Sequence, residues 1–109
     1  MAISQRLGND FLAINTGVST NDVVTLKFTS GEELIGRLVS EDDATFTVSK
    51  PMVLTMNPSG GIGMTPFLFT ASENIDIPVY KSALAAQAVK SSKPMADSYL
   101  TGTTGIALA

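Results

Sequence analysis

The sequence predicts a mainly β fold, five consecutive antiparallel strands curled into a small open barrel, and three observations carry that prediction. Apolar and polar residues alternate through Val24, Leu26 and Phe28, through Phe46 and Val48, and through Ile75, Ile77 and Val79. This is the period-two signature of strands with one buried face. Turn-forming clusters punctuate these runs at 30–31, 40–43, 57–63 and 71–74. The chain of 109 residues, 44% hydrophobic, supplies one modest core and not two. Five short strands usually satisfy such a core by curling.

The elements follow in order. Residues 4–14 set Leu7, Phe11 and Ile14 four and three apart behind Ser4 as a cap, which predicts a short amphipathic helix. Gly8 inside it costs about 1 kcal/mol relative to alanine. Residues 15–22 form a turn-rich linker, and the first strand begins at Val23. In the second strand Leu34, Gly36 and Leu38 face one side while Ile35, Arg37 and Val39 face the other. Gly36, a glycine in a strongly apolar strand, permits the sharp bend that closes a short barrel. The third strand includes Phe46 and Val48 and runs past Pro51 to about Met56, and the glycine-rich cluster 57–63 joins it to a fourth strand at 64–70. Pro66 marks that fourth strand as an edge or its entry. Residues 75–80 form the fifth strand, and alanine-rich 81–90 predicts a helix. The remainder, rich in glycine and threonine, is expected to be a tail that orders against a partner. The expected division is therefore a β-barrel domain with its N-terminal helix at 1–80 and a partly helical extension at 81–109.

Composition narrows the chemistry. Cysteine and histidine are both absent, which removes disulfides, thiolate nucleophiles, cysteine zinc sites and the commonest general base near neutral pH. No convergent catalytic set stands out, so no enzyme, metal or cofactor is expected. Gly60–Gly63 lacks the Lys-Ser/Thr that completes a phosphate-binding loop. The net charge is −3, and 7 basic residues are scattered from Arg6 to Lys93, a poor electrostatic footprint for gripping phosphates. No segment reaches the roughly 20 apolar residues of a bilayer span. The first residues also lack the basic start and long apolar stretch of a signal peptide. A cytoplasmic protein (in a host's cytoplasm if viral) is the resulting expectation.

One constellation points further. Val24, Leu26 and Phe28 precede Gly31; Leu34, Gly36 and Leu38 follow; an acid comes next, at Asp42 counted forward from Gly31 or at Asp43 counted back from Phe46. This pattern resembles the first half of the Sm/LSm signature, the family that includes the bacterial Hfq proteins. Residues 67–77, an apolar strand leading to a turn ending in Asn74 and Ile75, resemble its second half. The likeness spans roughly residues 22–80. With its long tail, the chain looks similar to Sm-like proteins of phage-type or marine environmental sequences.

The resemblance implies a bent five-stranded sheet that assembles into a homo-oligomeric ring, the fourth strand near 66–70 pairing with a neighbour's fifth strand at 75–80. It also implies a single-stranded RNA site at the ring's inner rim. Carried over by position, that site comprises Asp42 or Asp43, Phe46 and Thr47 from the first turn, and Ala71, Ser72 and Asn74 from the second. Thr47 stands where the family has asparagine, and Ala71 where it has arginine. Glu41, Asp42, Asp43 and Glu73 would crowd the same rim with negative charge, which repels phosphates or, alternatively, attracts Mg²⁺ or Ca²⁺. Two functions follow from the resemblance: an Sm-like ring with weak or altered RNA binding, or a structural ring, viral in one version, that engages another protein through its C-terminal tail.

Overall fold

The computed structural model describes residues 17–104 apart from 69 and 73. The helix expected at 4–14 therefore lies outside the described residues. The described chain is one antiparallel sheet followed by a helix. Its elements are β1 (Val23–Lys27), β2 (Glu33–Glu41), β3 (Thr45–Met56), β4 (Ile62–Pro66), β5 (Asp76–Tyr80), a 3₁₀ turn (Lys81–Ala83), β6 (Val89–Lys90) and α1 (Lys93–Thr104). The sheet runs β4-β3-β2-β1-β6, and β5 lies beside β4 on the same flank of β3.

The core gathers one face of the alternating strands: Val24, Leu26, Leu34, Leu38, Phe46, Val48, Val79 and Ala88, with Val18, Phe28, Phe67 and Leu84 packed around them. Period-two patterning forces this, because every second side chain of β1, β2 and β3 must share the buried side. Two bulges bend the sheet. Ile35 pairs with Met52 and Arg37 with Ser49, so Lys50 and Pro51 together oppose the single residue Gly36. A second shift leaves Val39 extra between Leu38 and Ser40. Each extra residue kinks its strand and tightens the twist. Gly36 is closely surrounded at the first bulge. A Cβ there would stand 3.2 Å from the Val48 Cβ, 3.4 Å from the Ser49 carbonyl oxygen and 3.5 Å from the Pro51 Cα.

β3 is long enough to hold two partners in succession: Thr45–Ser49 pairs with β5, and Met52–Met56 with β4. Pro66 and Pro78 explain why both partners are edges. Phe67 N–H donates to the Pro51 carbonyl and Lys81 N–H to that of Ala44. The alternation of an antiparallel ladder then puts Pro66–Met52 and Pro78–Thr47 in non-hydrogen-bonded pairs. Each missing N–H points away from β3, where no donor is demanded, so neither proline breaks the ladder.

Two expectations are corrected. The fourth strand is Ile62–Pro66 rather than 64–70. Its pairing begins directly after the tight turn closed by Asn57 N–H to the Gly61 carbonyl, and it ends where β3 bulges at Pro51. Past Pro66 the chain turns so that the Phe67 ring stacks on Phe28, centroids 5.7 Å apart.

The helix expected at 81–90 is also not formed. After the 3₁₀ turn at Lys81–Ala83, residues 83–91 run antiparallel along the outer edge of β1. Thr29 N–H donates to the Ala83 carbonyl, Ala85 N–H to that of Lys27 and Ser91 N–H to that of Val23. An unpaired strand edge offered more hydrogen bonds than alanine's helix propensity, which amounts to tenths of a kcal/mol per residue, could outweigh. Ala88 drops into the core from this segment with no exposed surface. The helix comes later, at Lys93–Thr104, and Ser92 accepts its first backbone bond from Ala96. Among the described residues no helix is long and apolar enough to cross a membrane.

Candidate functional site

The bulge in β3 is where sheet, helix and loop meet. Lys50 there adopts φ +49°, a left-handed conformation that costs a residue with a Cβ about 1–2 kcal/mol. The bulge also turns carbonyls out of the ladder, and α1 supplies their partners. The Tyr99 hydroxyl donates to the Ser49 carbonyl at 2.7 Å and lies 3.1 Å from that of Lys50. Lys50 Nζ in turn donates to the Thr103 carbonyl at 3.0 Å, near the end of the helix, where carbonyls lack helical partners. Tyr99 is only 2% exposed, and burial raises its pKa above the ordinary tyrosine value. Beside this seam opens a cavity of about 320 Å³. Met52, Pro66 and Ile77 line it from the sheet, Phe67 and Ile75 from the chain between β4 and β5, and Gly102 and Thr103 from α1. Lys50 and Ser72 contribute polar atoms among mostly apolar neighbours.

The residues proposed from the sequence fall into two separate groups. Asp42 and Asp43 form the β2–β3 turn at the Tyr80 end of β5, with Phe46 opposite Val79 and Thr47 opposite Pro78 at the middle of that strand. Ala71, Ser72 and Asn74 precede Asp76 and sit at the opposite end of that strand, where Ser49 pairs with Asp76. Five residues of strand, about 13 Å, separate the two ends. The β2–β3 turn and the 71–74 segment therefore stand at opposite ends of β5. Ala71 and Ser72 line the cavity, and Asn74 N–H donates to the Ser72 hydroxyl at 3.3 Å.

In the first group Asp42 organises its own turn. Its Oδ1 accepts from the amides of Ala44 and Thr45 and from the Thr45 hydroxyl, at 2.8–3.0 Å. The two amide bonds, Ala44's first, hold its carboxyl below the usual aspartate range. Asp43 is exposed, and Thr47 is half-buried opposite Pro78. Phe46 is fully buried, so its ring has no free face on which a base could stack. Lys81 Nζ instead covers that ring at 4.8 Å from its centroid and pairs with Glu41 at 2.6 Å. One of the acids expected to charge the rim is thus already neutralised, and Glu73 lies outside the described residues. Among the described residues no group of three or more carboxylates gathers closely enough to hold a metal ion.

Sequence reasoning passed over Lys50, Met52, Tyr99 and Thr103. The one legible hint was Lys50-Pro51 inside an apolar strand, since a proline in a central strand marks a bulge. Comparison with protein-family models and with curated proteins finds no match.

Proposed function

We propose that the chain is an Sm-like structural subunit that assembles with copies of itself into a closed ring, through the outer edges of β4 and β5. The observation that supports the reading is the distribution of sheet edges. Residues 83–91 fill the edge of β1, whereas β4 and β5 each pair with β3 on one side and have no backbone partner on the other among the described residues. The outward groups are the amides of Ile62 and Met64 on β4 and of Asp76 and Tyr80 on β5, with the carbonyls beside them. Such groups recruit a further strand. Large apolar side chains lie exposed along the same flank: Met56 at 73%, Ile62 at 52% and Tyr80 at 66%. The bulge at Lys50–Pro51 bends β3 between its two partners, so the open edges point along different lines. A contact between unlike edges is head-to-tail, and it closes into a ring when its rotation permits.

An assembly role is favoured over RNA binding. The burial of Phe46 and the Lys81 cation held over it by Glu41 deny a base the ring that the resemblance assigns to stacking, and the two turns stand at opposite ends of β5. The reading assigns the chain no reaction. Light scattering tests the ring: the expected mass is several protomers, reduced to one by Ile62→Lys or Tyr80→Lys with an unchanged circular dichroism spectrum. A monomeric wild-type chain refutes it. Titration with short U-rich and A-rich RNA at low salt is expected to give no saturable binding, and saturation would restore the RNA reading.

A further inference from the structure

No aspartate, glutamate, lysine or arginine lies between Pro51 and Ser72, so all 7 basic and 10 acidic residues sit in the rest of the chain. The centre of this uncharged stretch is the β3–β4 hairpin, and its pairing gives the two faces different chemistry. Met52 pairs with Pro66, Leu54 with Met64 and Met56 with Ile62. Residues directly opposite in a ladder share a face, so these six apolar side chains line one side. Val53, Thr55, Gly63 and Thr65 take the other. Towards the tip the apolar side is open: Met56 and Ile62 are more than half exposed, and Leu54 and Met64 behind them are half-buried. Side chains stand perpendicular to a sheet, whereas its hydrogen bonds run in its plane. Edge pairing of β4 with another chain therefore leaves this face uncovered.

We propose that this hairpin face is the contact through which two copies of the ring pair face to face into a double ring, an assignment that rests on the ring reading above. Charge selects the occupant. In a two-fold contact each patch meets its own copy, so a charged patch would oppose its own sign. A chain of net charge −3 repels its copies, and the hairpin is a surface on which no side chain adds to that repulsion. A lipid surface fits less well. No lysine or arginine flanks the tip to meet anionic headgroups, and Lys50, at the base of the hairpin, is bonded to the Thr103 carbonyl. Size makes the ring necessary. A stable contact takes about 20–30 residues a side, and one hairpin face offers only the six of its three pairs. Cyclic symmetry sets every hairpin of a ring at the same height and tilt, so several faces engage at once and their binding multiplies.

Native mass spectrometry of the full chain tests this with Met56→Glu, at an exposed position on β3 rather than on either open edge. The expected result is that the wild-type mass falls to one half with an unchanged circular dichroism spectrum. Thr55→Glu, which puts the same charge on the opposite face of the hairpin, should leave the mass as it was. A wild-type mass that Met56→Glu does not alter overturns the double ring and leaves the single ring standing. A monomeric wild type refutes the ring and takes this proposal with it. Monomers from Met56→Glu would place the face inside the ring contact, and an equal halving by Thr55→Glu would reduce the effect to added charge; each overturns the proposal. Flotation with phosphatidylcholine vesicles that captures the wild type but not Met56→Glu would assign the face to lipid, which overturns it as well.

Discussion

Replacing Tyr99 by phenylalanine isolates the contact that ties α1 to the sheet. The ring and its packing remain, and only the hydroxyl is lost. With it go a 2.7 Å bond to the Ser49 carbonyl and a longer 3.1 Å one to the Lys50 carbonyl. Ser49 is 8% exposed and Tyr99 2%, so water cannot readily replace the donor. A buried acceptor left without a partner costs about 1–3 kcal/mol. Taking about 1.5 kcal/mol for the short bond and about half that for the long one gives a loss of about 2 kcal/mol. For a domain of this size that lowers Tm by roughly 10 °C. In urea the midpoint should fall while the slope stays constant, because the area exposed on unfolding is the same. Amide exchange should accelerate through α1 and around the β3 bulge before it does so in β1 and β2. A midpoint shift worth less than about 0.5 kcal/mol would refute the argument, since surface substitutions alone reach that level.

Other outcomes follow from the same contacts. Burial raises the Tyr99 pKa in the folded chain, so its contribution is complete below the unfolded value near 10 and is lost as pH climbs through the folded one. The urea midpoint should therefore fall above about pH 10, and Tyr99→Phe should flatten that limb. The hydrogen bonds to Asp42 lower its pKa, so its contribution is present above the unfolded value and disappears as pH falls through the folded one. Asp42→Asn should accordingly weaken the acid dependence of the midpoint. Gly36→Val places a branched side chain against Val48, Ser49 and Pro51 and should cost about 3 kcal/mol, the upper end for overpacking, read as a lower urea midpoint. Lys81→Met removes a partly exposed pair with Glu41 but keeps an apolar cover on Phe46, so thermal melts should register less than about 1 kcal/mol.

Some features were legible because they rest on local rules. Alternation identified β1, β2, β3 and β5 nearly to the residue, since a strand with one buried face has little freedom of register. Pro66 announced an edge, and Gly36 announced a bend, because each imposes a constraint that no neighbour can lift. What escaped was the chain after residue 80. Ser92 ahead of Lys93 and Pro94 is a reasonable helix start, but Ser98, Gly102 and Thr103 are weak helix formers, and Tyr99 gave no sign of its partner. The candidate site was legible only in fragments, because Ala71 and Ser72 were expected beside Asp42 and instead line a cavity with Lys50 and Thr103.

The sequence by itself determined the order of the main strands, the buried alternation of β1 and of Phe46 and Val48 in β3, and the absence of any thiol or imidazole chemistry, for these depend on residue type and period alone. The tertiary structure decided which edges are filled and which stay open, that 81–90 becomes a 3₁₀ turn and an extended segment ending in the short strand β6 rather than a helix, and that a tyrosine fifty residues away caps the bulge in β3. The physical reason is that a backbone hydrogen bond or a bulge carbonyl takes whichever donor the fold brings within 3 Å. Sequence separation gives no hint of which donor that will be.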